Sequence, residues 1–123
     1  MEAKMTIGEV SLLTNDVITL ADFYKTILQV DNGSDDPVHQ FIITEGTTLT
    51  IYNNETNAVK QNSNIVLAFT VDNVDAEYER LKNYKIEIIE PPTTRSWGAR
   101  NMHFVDPDGN HIYFRSIPAG DKE

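Results

Sequence analysis

The sequence predicts an α+β chain of two βαβββ modules, each a curved sheet with its helix on the outer face and a cleft on the other side of the sheets. Three observations lead there. Near the start of each half, alternating apolar and polar residues are followed by a capping residue and then by an apolar stripe at helical spacing. The two occurrences overlay at an offset of 57 residues, which places Val10 on Leu67, Leu12 on Phe69, Asp16 on Asn73 and Val17 on Val74. Short strand-like runs separated by turn sequences follow in each half.

Taken in order, Val10, Leu12 and Thr14 alternate with Glu9, Ser11 and Leu13 and read as a strand with two unlike faces. Asn15-Asp16 supplies a cap, and Val17, Leu20, Phe23, Tyr24, Ile27 and Leu28 fall on one side of a helix. Asp31 to Pro37 is a polar turn region broken by Gly33 and Pro37. Gln40 to Thr44 and Thr47 to Tyr52 read as strands joined by Glu45-Gly46, a hairpin signal. Asn53 to Asn64 lacks periodicity and reads as a connector. The pattern then restarts with a strand from Ile65 to Val71, a cap at Asp72-Asn73 and a short helix burying Val74, Tyr78 and Leu81. Ile86 to Ile89 is a strand ended by Pro91-Pro92, since proline cannot donate to a ladder. Asn101 to Val105 and His111 to Ser116 flank the turn Asp106-Pro107-Asp108-Gly109-Asn110, and Ile117 to Glu123 is a frayed tail. The expected organisation is one domain over residues 1–123, with a first module at 5–53, a linker at 54–64 and a second module at 65–117.

Composition removes several function classes. With 123 residues and 40% hydrophobic content, the chain can build one modest core. Cysteine is absent, so disulfides, thiolate metal sites and cysteine nucleophiles are excluded. Nineteen acidic against ten basic residues give a net charge of -9, and the basic residues are dispersed, so a nucleic-acid partner is not expected. The longest apolar run, Ile65 to Phe69, is five residues, and the N-terminus has no apolar signal segment. Neither a membrane span nor secretion is expected, and the expected location is the cytoplasm.

Three segments resemble the vicinal-oxygen-chelate superfamily, which holds glyoxalase I, extradiol dioxygenases, and fosfomycin- and bleomycin-resistance proteins. They are Asp16 to Leu28 with its Phe23-Tyr24 and Ile27-Leu28, Val71 to Leu81, and Trp97-Gly98-Ala99-Arg100 running through Phe104 to the Asp106-Asn110 turn. The resemblance implies the paired βαβββ fold and a divalent cation held by His and Glu from four strands. It places those four positions on Glu9, Leu49, Val66 and Tyr113. Leu and Val have no donor atom, a neutral Tyr is a poor ligand, and a single carboxylate cannot hold the ion against water. No metal and no cofactor are therefore expected.

A hairpin register that pairs Phe104 with Ile112 also pairs His103 with Tyr113 and brings His103 to the cleft side, where it is expected to hydrogen-bond Tyr113 or Glu9. His111, next to the turn, reads as solvated. Trp97-Gly98-x-Arg100 is similar to the metal-free bleomycin-resistance proteins, which are dimers that sequester a cationic aromatic drug. An indole can stack on a flat ligand or sit over a cation, and Arg100 can pair with a carboxylate of the ligand or, with more weight, of the fold itself. For Trp97, packing beneath Pro91-Pro92 competes on equal terms.

The leading reading is a metal-independent homodimer that binds a small, cationic or aromatic molecule. Its site draws on Glu9, Ser11, Leu49, Ile51, Val66, Ala68, Trp97, Arg100, His103 and Tyr113. The alternative is a lyase, isomerase or dioxygenase with a rebuilt or absent metal site, in which Glu9 or His103 transfers a proton. A metabolite-sensing regulatory module ranks last, because the chain shows no effector segment.

Overall fold

Asp16 and Asn73 start two helices in the same way. Each has a non-helical backbone, with φ of −140° and −146°, and each carboxamide or carboxylate oxygen accepts from the amide three residues on, Thr19 N for Asp16 and Ala76 N for Asn73. These bonds satisfy amides that a helix cannot pair internally. A computed structural model describes residues 5–55 and 64–117, in a chain that divides into two compact units at 1–60 and 61–123. Most of the expected connector, all of the expected tail after Ile117, and residues 1–4 lie outside the described residues.

In the first unit, β1 (Glu9–Leu13) leads into α1 (Val17–Leu28), and β2 (His39–Ile43) and β3 (Thr48–Tyr52) follow. The sheet order is β1-β3-β2, with β1 parallel to β3 and β2 antiparallel to it. The predicted hairpin turn is present, with Gly46 at φ 89° and Thr44 N bonded to Thr47 O at 3.2 Å. Val17, Leu20, Ala21, Tyr24 and Ile27 of α1 are buried on the same side of the sheet as Ile42, Leu49 and Ile51.

The second unit contains β4 (Val66–Thr70), α2 (Val74–Leu81), β5 (Glu87–Thr94), β6 (Arg100–Val105) and β7 (His111–Ser116), in the sheet order β4-β7-β6-β5. Its core sets Val74 and Leu81 of α2 with Met102, Phe104, Ile112 and Phe114 of the sheet, all nearly without solvent contact. The offset seen in the sequence holds at each matched boundary: 57 residues separate Glu9 from Val66, Leu13 from Thr70 and Val17 from Val74, which are the bounds of β1 and β4 and the starts of α1 and α2.

Two differences from the sequence reading have physical causes. Among the described residues the first unit carries three strands where a βαβββ module has four. Where a further strand would lie beside β2, the Asp31–Pro37 stretch turns its side chains onto the outer edge of that strand. Asp36 Oδ1 accepts from Val38 N and His39 N, at 2.8 and 3.0 Å, and Asn32 Nδ2 donates to Phe41 O at 2.8 Å. Main-chain groups that a neighbouring strand would have paired are thus met locally. The second difference is β5, which runs through Pro91-Pro92 to Thr94 instead of ending before them. It is an edge strand, and its pairing with β6 shifts register between Ile88 and Glu90 and again between Glu90 and Thr93. A missing donor is tolerated in such a position.

The Asp106–Asn110 turn is the folding device expected of it. Asp106 is 4% exposed, and its carboxylate accepts from Asp108 N, Asn110 N and Asn110 Nδ2 at 2.9, 2.9 and 2.8 Å. Gly109 takes φ 86°, a conformation other residues rarely adopt.

Candidate functional site

Side chains alternate across a strand, so register and burial together decide which residues share a face. In the first sheet, Glu9 and Ser11 pair with Thr48 and Thr50, and Thr50 pairs with Phe41. The face away from α1 therefore carries Glu9, Ser11, Thr48, Thr50, Phe41 and Ile43. Leu49 and Ile51, expected on that face, are 4% and 0% exposed and stand in the core on the helix side. β3 is the central strand, and its two aliphatic residues are the ones the core requires.

Thr50 was not singled out in the sequence, yet it organises this face. Its hydroxyl donates to Glu9 Oε2 at 2.6 Å, and Ser11 Oγ donates to the same oxygen at 3.1 Å. The Thr50 bond first, and the Ser11 bond after it, hold the Glu9 carboxyl below the usual carboxylate range. Glu9 is therefore a stable anion and a weakened base, opposite to the raised pKa that would suit a proton acceptor. His39, whose ring meets Phe41 and Tyr52 edge-on at 4.4 and 5.1 Å, adds a smaller push in the same direction. Beside the carboxylate lies an open hollow of about 470 Å³ walled by Gly8, Glu9, Phe41, Ile43 and Thr48.

Thr50→Val is expected to raise the Glu9 pKa toward its ordinary value, which a carboxyl NMR titration reads directly. The sign follows from the lowered pKa. The charged form is favoured in the fold, so its contribution is complete above the unfolded pKa and disappears as pH falls through the folded one. An unmoved titration in the variant would show that Thr50 does not set the charge.

In the second sheet, the expected pairings Phe104 with Ile112 and His103 with Tyr113 are both present. His103, Tyr113, Val66 and Ala68 share the face away from α2, as the alternation of register and burial requires. The His103 ring stacks on Tyr113 with centroids 4.5 Å apart and planes 7° apart. Within its own unit its hydrogen-bond partner is not Tyr113 but His111, with Nε2 and Nδ1 2.7 Å apart. His111, expected to be solvated, is half-buried in this pair. Burial chiefly, then the adjacent His111, lowers the His103 pKa, while Glu90 opposes the shift and Arg95 adds to it. Arg95 forms an ion pair with Glu90 and donates to Asn101 Oδ1 at 2.9 Å.

Arg100 stands on the other side of this sheet. Its Nε and Nη2 donate to the two carboxylate oxygens of Asp75 in α2, both at 2.8 Å, and Nη1 donates to Thr94 Oγ1 at 3.0 Å. It ties helix to sheet, the fold-stabilising role weighed against a ligand contact. Trp97 is 70% exposed in the turn closed by Gly98 N to Arg95 O at 3.0 Å, so packing beneath Pro91-Pro92 is not its role.

Two units, each with one helix on one face of a small sheet and a polar, aromatic face opposite, define a duplicated α+β architecture. The sequence profile of the Glyoxalase/Bleomycin resistance protein/Dioxygenase superfamily matches residues 6–114, and the chain belongs to that superfamily. Among solved structures it is similar to a glyoxalase/bleomycin resistance protein/dioxygenase from Nocardioides, at 26% identity and a TM-score of 0.75, over 99% of this chain and 89% of that one. A glyoxalase/dioxygenase from Nostoc punctiforme is similar at 26% identity and a TM-score of 0.72, over 92% and 91% of the two chains. A lactoylglutathione lyase from Agrobacterium tumefaciens shares the fold at 16% identity and a TM-score of 0.71, over 94% and 96%. None of the curated proteins compared with the chain matches it.

The residues at the four inherited metal positions do not fit a divalent cation. In the first unit Glu9 is already bonded to two hydroxyls, and Leu49 faces the core. In the second, Val66 has no donor and the Tyr113 ring is stacked on His103. At these four positions there is no His, and Glu9 is the one carboxylate. No helix among the described residues is long and apolar enough to cross a membrane.

Proposed function

We propose that this superfamily member is a metal-independent cytoplasmic binding protein, acting as a homodimer, and that it takes a small organic cation with an aromatic or apolar body. One observation carries the reading. The Glu9 carboxylate is held in its charged form at the rim of a hollow whose other walls include the half-exposed Phe41 and the exposed Ile43. A fixed anion beside an aromatic ring attracts a cation by direct charge and by the ring quadrupole, while the apolar wall covers the rest of the ligand.

The test is calorimetric titration with aromatic quaternary ammonium ions and their neutral isosteres. The cations should bind at least about tenfold tighter, a difference of roughly 1.4 kcal/mol. Glu9→Gln should erase that preference, and Phe41→Ala should weaken every ligand that stacks. Equal binding of charged and neutral members of each pair would overturn the reading.

A second reading, proton transfer in an isomerase- or lyase-type reaction, is supported by His103 and not by Glu9. Its lowered pKa keeps the imidazole neutral near pH 7, and the bond to His111 orients it to accept a proton.

A further inference from the structure

His103 and His111 stand diagonally across the β6–β7 hairpin. The ladder pairs His103 with Tyr113 and Val105 with His111, so the two imidazoles rise from the same face of neighbouring strands. Their facing nitrogens are 2.7 Å apart, which means that one ring donates the single hydrogen between them and the other accepts it. The arrangement is held from several sides. Tyr113 lies flat against His103, and the hairpin is pinned by the buried Asp106. Glu90, paired with His103 in the ladder, has its carboxylate engaged by Arg95.

The geometry points to a two-nitrogen chelate, formed by His103 Nε2 and His111 Nδ1, for a divalent transition metal that favours imidazole, with Cu²⁺ bound ahead of Ni²⁺ and Zn²⁺. Imidazole nitrogens sit about 2.0–2.1 Å from such ions, so two cis ligands of a square-planar ion lie about 2.9 Å apart. From the observed 2.7 Å the pair has to open by a few tenths of an ångström, and both rings have to turn by about 45° so that lone pairs lying along the line between the nitrogens converge on the ion. No net proton is released, because each ring keeps one hydrogen. The hydrogen now shared moves to the outward nitrogen of its own ring, leaving both inner nitrogens as donors. Among the described residues no third His, Asp or Glu joins the pair, so water completes the coordination. The order of preference follows the general rise in affinity to copper along the first-row divalent ions. These positions are distinct from Glu9, Leu49, Val66 and Tyr113, and the site does not depend on the cation-binding reading above.

The sequence makes the test complete, since it has three histidines and no cysteine. Cu²⁺ is titrated into the wild type and into His39→Gln, His103→Gln and His111→Gln, with pulsed electron paramagnetic resonance counting the imidazoles bound to the ion. The wild type and His39→Gln should bind one ion with equal affinity and show two imidazoles. His103→Gln and His111→Gln should each bind at least tenfold more weakly and show one. If the three variants bind alike, or the wild-type spectrum shows a single imidazole, the chelate does not exist. The wild-type spectrum decides the matter even where a variant fails to fold.

Discussion

Truncating Phe104 to Ala is expected to destabilise the protein by about 3–5 kcal/mol, read as a lower urea midpoint at unchanged slope. The Phe104 side chain has no solvent contact, and its ring meets Phe114 edge-on at 5.1 Å. Phe114 in turn meets Phe69 edge-on at 6.0 Å, so one aromatic cluster joins β6, β7 and β4. The helix above it buries only Val74 and Leu81, and so short an element has little material with which to fill the void. Since whole domains are stable by about 5–15 kcal/mol, the loss takes a large part of the total. Phe69, which is half-buried, serves as the comparison. If Phe69→Ala costs as much as Phe104→Ala, the core of the second unit is not centred where the burial places it.

Asp106→Ala should cost about 2–4 kcal/mol, the second largest effect expected, because it leaves three donors without an acceptor. Two are turn amides, Asp108 N and Asn110 N, and the third is the Asn110 side chain. Asp106→Asn should fall between the variant and the wild type, since an amide oxygen can still accept but the charge is gone. Thermal unfolding of both variants checks this. A loss under about 1 kcal/mol in the Ala variant would show that Pro107 and Gly109 hold the turn unaided. The functional side of the same experiment is the register of His103 against Tyr113, which depends on this turn.

The fold was legible in the sequence wherever a local signal and a long-range repeat agreed. The Asp16 and Asn73 caps, the apolar stripe of α1 and the Asp106–Asn110 turn each have a chemistry that works at short range, and each is found where expected. The hairpin register around His103 was readable for the same reason, because a turn of known length sets the pairing on both sides of it. The face of β3 was also written in the sequence. In Thr48-Leu49-Thr50-Ile51-Tyr52 the two aliphatic residues share one parity, and that parity belongs to the core. Carrying over the family's metal position put Leu49 on the wrong face, and plain alternation would have found Thr50. Other features had no local signal. The partnership of His103 with His111 depends on diagonal proximity across two strands, and that of Arg100 with Asp75 joins residues 25 apart in the chain. The passage of β5 through two prolines became readable only once its place at the sheet edge was known.

In each unit the strand made last is hydrogen-bonded to the strand made first. Glu9 finds its partner Thr48 after 39 further residues, and Val66 finds His111 after 45. Neither sheet can close on the ribosome until its final strand has emerged, and the entropy of that long loop is met before any pairing rewards it. The order of synthesis, however, lets the amino-terminal half complete its ladder while the carboxyl-terminal half is still being translated. Duplication of one such self-closing segment yields a chain whose halves mature in succession, each needing no strand from the other to finish its own sheet.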